Sequence, residues 1–231
     1  MSCSSGYVAD VQNQRVQKFS SDGKFLLSWG EEGAGQGMFN RPYNIAVDKT
    51  GNVYVVDSEN NSIQKFTGEG AFLKEFGPVG GDGRQLKSPQ GVAVDGNGNV
   101  YVGDGSNGRI VKYSADGAYL MDWESPLDPD NTGANGAMMN GHPFVRGGYI
   151  HDVAADAQGH VYAVSAGTEC VQMFSSQGTL LSQWGSKGAG PGQFDFVARV
   201  AVDAAGKRVY VTDAHNNRAQ VFAFPPRTDA R

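Results

Sequence analysis

The chain has 231 residues, 33 of them glycine, and its 19 basic and 24 acidic residues give a net charge of −5. This length is enough for one well-packed domain, and the acidic balance argues against a nucleic-acid binder, which would usually be basic. No apolar stretch is long enough to span a membrane, and Met1–Gly6 lacks the charged and apolar regions of a signal peptide, which leaves the compartment open.

Short apolar runs separated by turn signals follow one another along the chain, and none has helical spacing over a useful length. The clearest set is Gly37–Gly77, where four β-branched or aromatic runs each end in a turn rich in Gly, Asn, Asp or Ser, as in an antiparallel meander. The same order recurs, and the sequence predicts one all-β domain over 1–231. Its predicted repeats are 6–30 without the first strand, 37–77, 85–123, 149–185 and 193–224 without the fourth strand.

Three sets of equivalent residues support one repeat length. The Asp column after the first strand and the aromatic column that ends the fourth strand both recur at 47 residues, and both contain one interval that is 14 residues longer. The extra residues fall in 124–148, a polar loop rich in Gly, Pro and Asn. A repeat of this size with four strands is typical of a β-propeller blade. These two columns are Asp48, Asp95, Asp156 and Asp203, and Trp29, Phe76, Trp123 and Trp184. The third column, at the end of the second strand, begins with two steps of 47 residues and contains Asp10, Asp57, Asp104 and Asp213.

The units resemble NHL repeats. The matching segments are Pro42–Asp48, Gly51–Asp57 and Asn60–Phe66, and Pro89–Tyr113 repeats them. The resemblance covers nearly the whole chain and implies a propeller in which the first strand of each blade lies nearest the central channel. It implies no single activity, since such folds carry many functions.

The predicted strands number 18, with a strand missing at each end of the chain, so the ring need not be complete. Three arrangements remain open. They are an arc of five blades that closes imperfectly, a piece of a six-bladed protein, and a homo-oligomer that covers the open blade edges.

Candidate site residues come from the start of each first strand, at the predicted mouth of the channel. Unlike the scaffold columns, these positions differ from blade to blade, as a binding site written on a repeated frame would. The first column contains Tyr43, Gln90, His151 and Ala198, and the second contains Asn44, Gly91, Asp152 and Arg199. We predict catalytic roles for Tyr43, His151, Asp152 and Arg199, and ligand-binding roles for Asn44, Gln90, His142 and Arg146.

The blades also resemble those of peptidyl-α-hydroxyglycine amidating lyases. That resemblance implies zinc-binding histidines in the first mouth column, and here only His151 matches. His142 and His151 flank the insertion and could meet above the channel, so a divalent ion such as zinc or calcium on these two residues is a further hypothesis. The alternative is a loop histidine and a rim histidine that bonds to backbone.

The leading functional interpretation is a rigid scaffold that binds a small molecule or peptide at the channel mouth. The first alternative is a lyase or hydrolase at the same place, with or without a metal. The second is a protein-interaction module that uses the outer blade edges. The sequence leaves open whether the protein is an enzyme and names no substrate or partner.

Overall fold

The computed structural model describes residues 5–77, 85–125, 138–139, 142–143, 148–166, 168–203 and 206–223. Antiparallel sheets make up almost all of it, with two single 3₁₀ turns at Val11–Asn13 and Gly105–Asn107. Within these residues no helix has the length and apolar character that crossing a membrane requires.

Five sheets follow one another along the chain, each a meander of neighbouring strands. Blade 1 contains β1 (Gly6–Asp10), β2 (Arg15–Phe19) and β3 (Phe25–Trp29). Blade 2 contains β4 (Pro42–Val47), β5 (Val53–Asp57), β6 (Ser62–Phe66) and β7 (Phe72–Phe76). Blade 3 contains β8 (Gly91–Val94), β9 (Val100–Asp104), β10 (Arg109–Tyr113) and β11 (Tyr119–Glu124).

A short two-stranded pair, β12 (Met138–Met139) and β13 (His142–Pro143), lies in the insertion. Blade 4 contains β14 (Tyr149–Ala155), β15 (Val161–Ala166), β16 (Val171–Phe174) and β17 (Leu180–Trp184). Blade 5 contains β18 (Val197–Val202), β19 (Arg208–Asp213) and β20 (Arg218–Ala223).

The blades pack in chain order around a central channel. The first strands β4, β8, β14 and β18 contact one another in sequence, and the second strand of each of the first four blades contacts the first strand of the next blade. The apolar core therefore lies in layers between successive blades. The prediction of an all-β propeller of antiparallel blades with five repeats is confirmed. Blades 1 and 5 each have three strands among the described residues.

Aspartates hold the turns of each blade. Asp48 accepts hydrogen bonds from the backbone N–H groups of Thr50 and Asn52 and from the Tyr54 hydroxyl, which fixes the first hairpin. Asp95 and Asp156 form the equivalent bonds in blades 3 and 4. A carboxylate that satisfies turn N–H groups stabilises the bend, so this column belongs to the scaffold.

The two terminal blades each leave one sheet face uncovered. Tyr54 is 0% exposed between blades 2 and 3, whereas Tyr210 at the same position of blade 5 is 39% exposed and its strand neighbour Val221 is 57% exposed. Val8 on blade 1 is 48% exposed, whereas its counterpart Val55 is buried. Among the described residues, no contact between strands of blades 5 and 1 matches those that join successive blades. In the described part of the chain, blades 1 and 5 thus each present one exposed sheet face, and these two surfaces are called the bare faces below.

A glycine in the turn before the fourth strand explains why the fourth strand of the preceding blade ends in an aromatic residue. Gly178 in blade 4 has φ +77°, and a Cβ there would lie 2.8 Å from the Trp123 ring of blade 3. Gly23 has φ +80° in the equivalent turn of blade 1, yet nothing lies within 4 Å of its Cβ position. The aromatic ring of each blade therefore packs on the bare backbone of the next blade's turn.

This pair gives a matched stability prediction. Gly23→Ala should lower the unfolding free energy by about 1 kcal/mol, the cost of the left-handed backbone alone. Gly178→Ala should cost about 1–3 kcal/mol more, because the methyl group must displace Trp123. Urea unfolding of both variants measures the difference, and equal losses would contradict this packing role.

Candidate functional site

The mouth residues lie on a repeated β-bulge. Tyr43, His151 and Ala198 are each the extra residue at which the first strand shifts register against the second. In blade 3, Gln90 donates its N–H to the carbonyl of Gly103, which is also the pairing partner of Gly91. A bulge leaves one residue outside the ladder and turns its side chain, a device often found beside active sites. Here it aims the variable residues at the channel mouth.

The starts of three first strands, β4, β8 and β18, are each fixed by a side chain of the preceding blade. That side chain comes from a left-handed turn residue and accepts a hydrogen bond from a backbone N–H group 27 residues further on. The residues that donate these N–H groups also have positive φ. This conformation costs energy for non-glycine residues and is found at functional sites. The pairs are Gln14 and Arg41, Asn61 and Ser88, and Glu169 and Phe196.

His151 lies in an aromatic pocket at the mouth. Its ring contacts Tyr149 and Phe196 edge to face, with centroids 5.2 Å apart in both cases, and the residue is 6% exposed. Burial, and secondarily the positive charge of Arg199, lowers the pKa of His151 to about 4. No described residue hydrogen-bonds to its ring nitrogens. At neutral pH the imidazole is therefore uncharged and can accept a proton.

Arg199 joins blades 5, 4 and 2 above the channel. Its guanidinium carbon lies 4.7 Å from the centroid of the Tyr43 ring, and Nη1 donates to the carbonyl oxygen of His151 at 3.4 Å. A second arginine, Arg41, approaches the same ring at 5.7 Å. Arg41 is also paired with Glu59, so Arg199 is the cation held at the mouth without an acidic partner within 4 Å among the described residues, with Tyr43 as its aromatic support.

Gln90 and Tyr149 form the opposite wall. Gln90 Nε2 donates to the Tyr149 hydroxyl oxygen at 2.8 Å, while the buried Oε1 of Gln90 has no hydrogen-bond partner. Burial, with the nearby Tyr43, raises the pKa of Tyr149 to about 12, so its hydroxyl stays protonated. A protonated phenol beside a neutral imidazole is a hydrogen-bond donor close to a base.

Asp152 of blade 4 forms a hydrogen-bonded strut, a link across the channel to blades 2 and 5. Its carboxylate accepts a hydrogen bond from Asn44 Nδ2 of blade 2 at 2.7 Å and from the Val200 N–H group of blade 5 at 3.1 Å. Burial raises its pKa to about 6 against the opposing effects of Arg199 and these bonds. The two groups are therefore bonded to each other, and the catalytic role of Asp152 and the ligand-binding role of Asn44 stay predictions.

The structure brings six predicted residues together: Tyr43, Asn44, Gln90, His151, Asp152 and Arg199. Arg146 and the side chain of His142 lie outside the described residues. Sequence reasoning missed Tyr149 and Phe196, which form the walls around His151. Both occupy the same position in the repeat, two residues before the bulge residue of blades 4 and 5. That shared position is the sequence feature that could have identified them.

The residues around His151 do not fit a metal ion. Among the described part of the chain, no three His, Cys, Asp or Glu side chains are placed to hold one. The neighbours of His151 are two aromatic rings and the cationic Arg199, which would repel a divalent ion. The metal hypothesis for His151 with His142 stays a prediction, and no step below depends on it.

A separate cavity of about 670 Å³ lies on the outer rim of blades 2 and 3 and contains none of the mouth residues. Its size suits a ligand, but its walls are scaffold groups that already bond one another. Arg109, for example, is held by Asp104 and Asp122. The mouth therefore remains the better candidate site.

His151 and Asp152 should affect stability with opposite pH dependence. The folded-state pKa of His151 lies below 6.5, so its contribution is present above that pH and is lost as pH falls toward 4. The folded-state pKa of Asp152 lies above 3.8, so stability is lost as pH rises through about 6.

The unfolding free energy of His151→Gln should therefore fall less than that of the wild type when the pH is lowered from 7 to 4.5. The difference should be about 2–3 kcal/mol, at about 1.4 kcal/mol per pH unit. The unfolding free energy of Asp152→Asn should fall more than that of the wild type over the same range. Urea unfolding at both pH values tests this, and a His151→Gln curve parallel to that of the wild type would contradict the burial of His151.

Residues 39–66 and 86–113 match the NHL repeat family. A comparison with curated proteins found no match. Solved structures with a similar fold include a virginiamycin B lyase from Staphylococcus aureus, 13% identical with a TM-score of 0.61, over 98% of this chain and 68% of that one. A streptogramin B lyase is 12% identical with a TM-score of 0.60, over 96% and 66%.

A gluconolactonase from Xanthomonas campestris is 18% identical with a TM-score of 0.61, over 90% of this chain and 68% of that one. The chain thus spans about two thirds of the length of these structures. At such identities the similarity shows the fold, and one fold carries many activities.

Proposed function

We propose that this chain, a β-propeller built of NHL repeats, is an enzyme that binds a small molecule at the channel mouth and begins its reaction with proton transfer to His151. The observation that carries the proposal is the state of His151. It is buried and uncharged at neutral pH, and no described residue bonds to its ring nitrogens. A neutral imidazole can accept a proton, and a residue whose pKa is perturbed by burial in a cleft is a candidate for a functional site.

The surrounding groups suit a lyase or a hydrolase. In an elimination His151 would take a proton from carbon, and in a hydrolysis it would take a proton from water. Both reactions place negative charge on an oxygen or on a leaving group, and the Arg199 guanidinium lies next to His151 to stabilise that charge. The protonated Tyr149 hydroxyl provides a donor on the other side.

The structural neighbours support the same two reaction classes. Two of them are named as streptogramin B and virginiamycin B lyases, and a third as a gluconolactonase. The crystal structure of a catalytically inactive variant of the Staphylococcus aureus lyase was determined with quinupristin. Small cyclic esters and streptogramin B antibiotics are therefore suitable first substrates for this chain.

A non-catalytic binding scaffold is the second candidate, favoured by the low exposure of His151. A ligand held by Arg199 and Tyr43 could occupy the mouth without reaching the imidazole. An interaction module on the bare faces of blades 1 and 5 is the third candidate, favoured by the exposure of Val8 and Val221.

The test is a turnover screen with gluconolactone and quinupristin, followed by mass spectrometry, on wild type and His151→Asn. Conversion by the wild type that the variant loses supports the enzyme. Binding of a compound by both proteins, with conversion by neither, supports the scaffold. Conversion that persists unchanged in His151→Asn contradicts the proposed role of His151.

A further inference from the structure

We infer that the ligand of the channel mouth carries an oxyanion, a carboxylate or a phosphate group, and that Arg199 binds it. The inference rests on the proposed site and adds the chemical class of the ligand. It comes from the way in which arginines are paired in this protein.

Of the five other arginines among the described residues, four have a carboxylate partner, and the fifth, Arg208, is exposed to solvent. The partners lie 2.8–3.3 Å away, and in the most buried case Arg109 bonds to both Asp104 and Asp122. Arg199 is half-buried and has no acidic group within 4 Å among the described residues. Partly buried cations are normally paired, because removing a charge from water is costly.

Asp152, the nearest acid that influences Arg199, does not fill this role. Asn44 and the Val200 N–H group already occupy the Asp152 oxygens. The single hydrogen bond of Arg199 in the described residues is the long contact from Nη1 to the His151 carbonyl. An arginine has five N–H donors in a planar fork that matches a carboxylate or phosphate, so most of its donors are available to a ligand.

The position of Arg199 also favours an anion. Its guanidinium is stacked on the Tyr43 ring, which holds the fork in one orientation and shields one face from water. His151 adds no charge at neutral pH, and Arg41, which also approaches the Tyr43 ring, is already paired with Glu59. Arg199 is therefore the cation at the mouth that a ligand anion would meet.

A second feature points to a polar group on the same ligand. The Oε1 atom of Gln90 is buried without a partner, while its Nε2 bonds to Tyr149. An unsatisfied buried acceptor costs about 1–3 kcal/mol, and a hydroxyl or amide N–H of the ligand would satisfy it. The ligand class is a small oxyanion that also carries a hydrogen-bond donor.

The test uses four probes at pH 7 and matched ionic strength: propionate, its neutral analogue propionamide, 3-hydroxypropionate and inorganic phosphate. Their affinities are measured by NMR titration with wild type, Arg199→Gln and Arg208→Gln. Arg208 is a matched control because it is exposed and also has no carboxylate partner among the described residues. Arg199→Lys tests whether charge alone is enough.

Propionate or phosphate should bind at least tenfold more tightly than propionamide, and Arg199→Gln should lose at least tenfold in affinity while Arg208→Gln keeps it. Arg199→Lys should retain part of the affinity. The 3-hydroxypropionate should bind more tightly than propionate, and Gln90→Leu should remove that advantage.

Equal binding of propionate and propionamide, no loss in Arg199→Gln, or no anion binding by the wild type would each overturn the inference. The proposed enzyme would survive those results if turnover still depended on His151. Anion binding through Arg199 with turnover that ignores His151 would instead support the inference and reject the proposed base.

Discussion

Replacement of His151 by asparagine should reduce turnover by about 10²–10⁴-fold, the usual contribution of a general base. Asparagine keeps polarity and fits the space between Tyr149 and Phe196, but it cannot take a proton. Ligand affinity should change little, because Arg199 and Tyr43 remain in place. Steady-state kinetics should therefore show a fall in kcat with a nearly constant KM.

The control is His215→Asn, an exposed histidine that stacks on the far side of Phe196 and does not contact His151 in the described structure. It should keep wild-type turnover. The wild-type rate should also persist down to about pH 4 before His151 becomes protonated. An acidic limb near pH 6.5, or a His215→Asn variant as impaired as His151→Asn, would show that the imidazole is not the buried base.

Replacement of Asp104 by alanine should cost about 3–5 kcal/mol of unfolding free energy, the range expected when one partner of a buried ion pair is removed. Asp104 is fully buried and accepts hydrogen bonds from the Lys87 N–H group, Asn107 Nδ2 and Arg109 Nε. Its loss would leave a cation that is only 14% exposed without its main partner. Urea unfolding measures the effect.

Blade 1 provides the matched control, because Asp10, Asn13 and Arg15 repeat the same side-chain arrangement, with bonds of 2.9 Å where blade 3 has 2.8 Å. There the arginine side chain is 41% exposed and water can replace the lost partner. Asp10→Ala should therefore be much less destabilising than Asp104→Ala. Similar losses in the two variants would show that burial does not determine how much each Asp–Arg pair contributes to stability.

The fold could be predicted from the sequence because it is periodic. The columns of Asp48 and Trp29 recur every 47 residues apart from one insertion. An error in assigning the strands would have disturbed the spacing of both columns. The structure explains them by physical contacts. The aspartates satisfy turn N–H groups, and the aromatic residues pack on the glycine of the next turn.

The candidate site was predictable only in part. Variation within a fixed frame pointed to Tyr43, Gln90, His151 and Arg199, which the structure brings to one place. The strut formed by Asp152 and Asn44 was not predictable, because it joins blades 2 and 4 across the channel through a contact 108 residues apart in sequence. The unpaired state of Arg199 likewise depends on which carboxylates already have partners, and spacing does not reveal this.

The most direct test of the account is the pKa of His151, measured by NMR titration of the histidine ring signals with His151→Asn to assign its resonance. A value near 4 is expected, since burial and Arg199 both disfavour the charged ring. That result would establish a neutral imidazole enclosed at the channel mouth. A value near 6.5, the ordinary value for a solvated histidine, would contradict both the enclosed site and the proposed base.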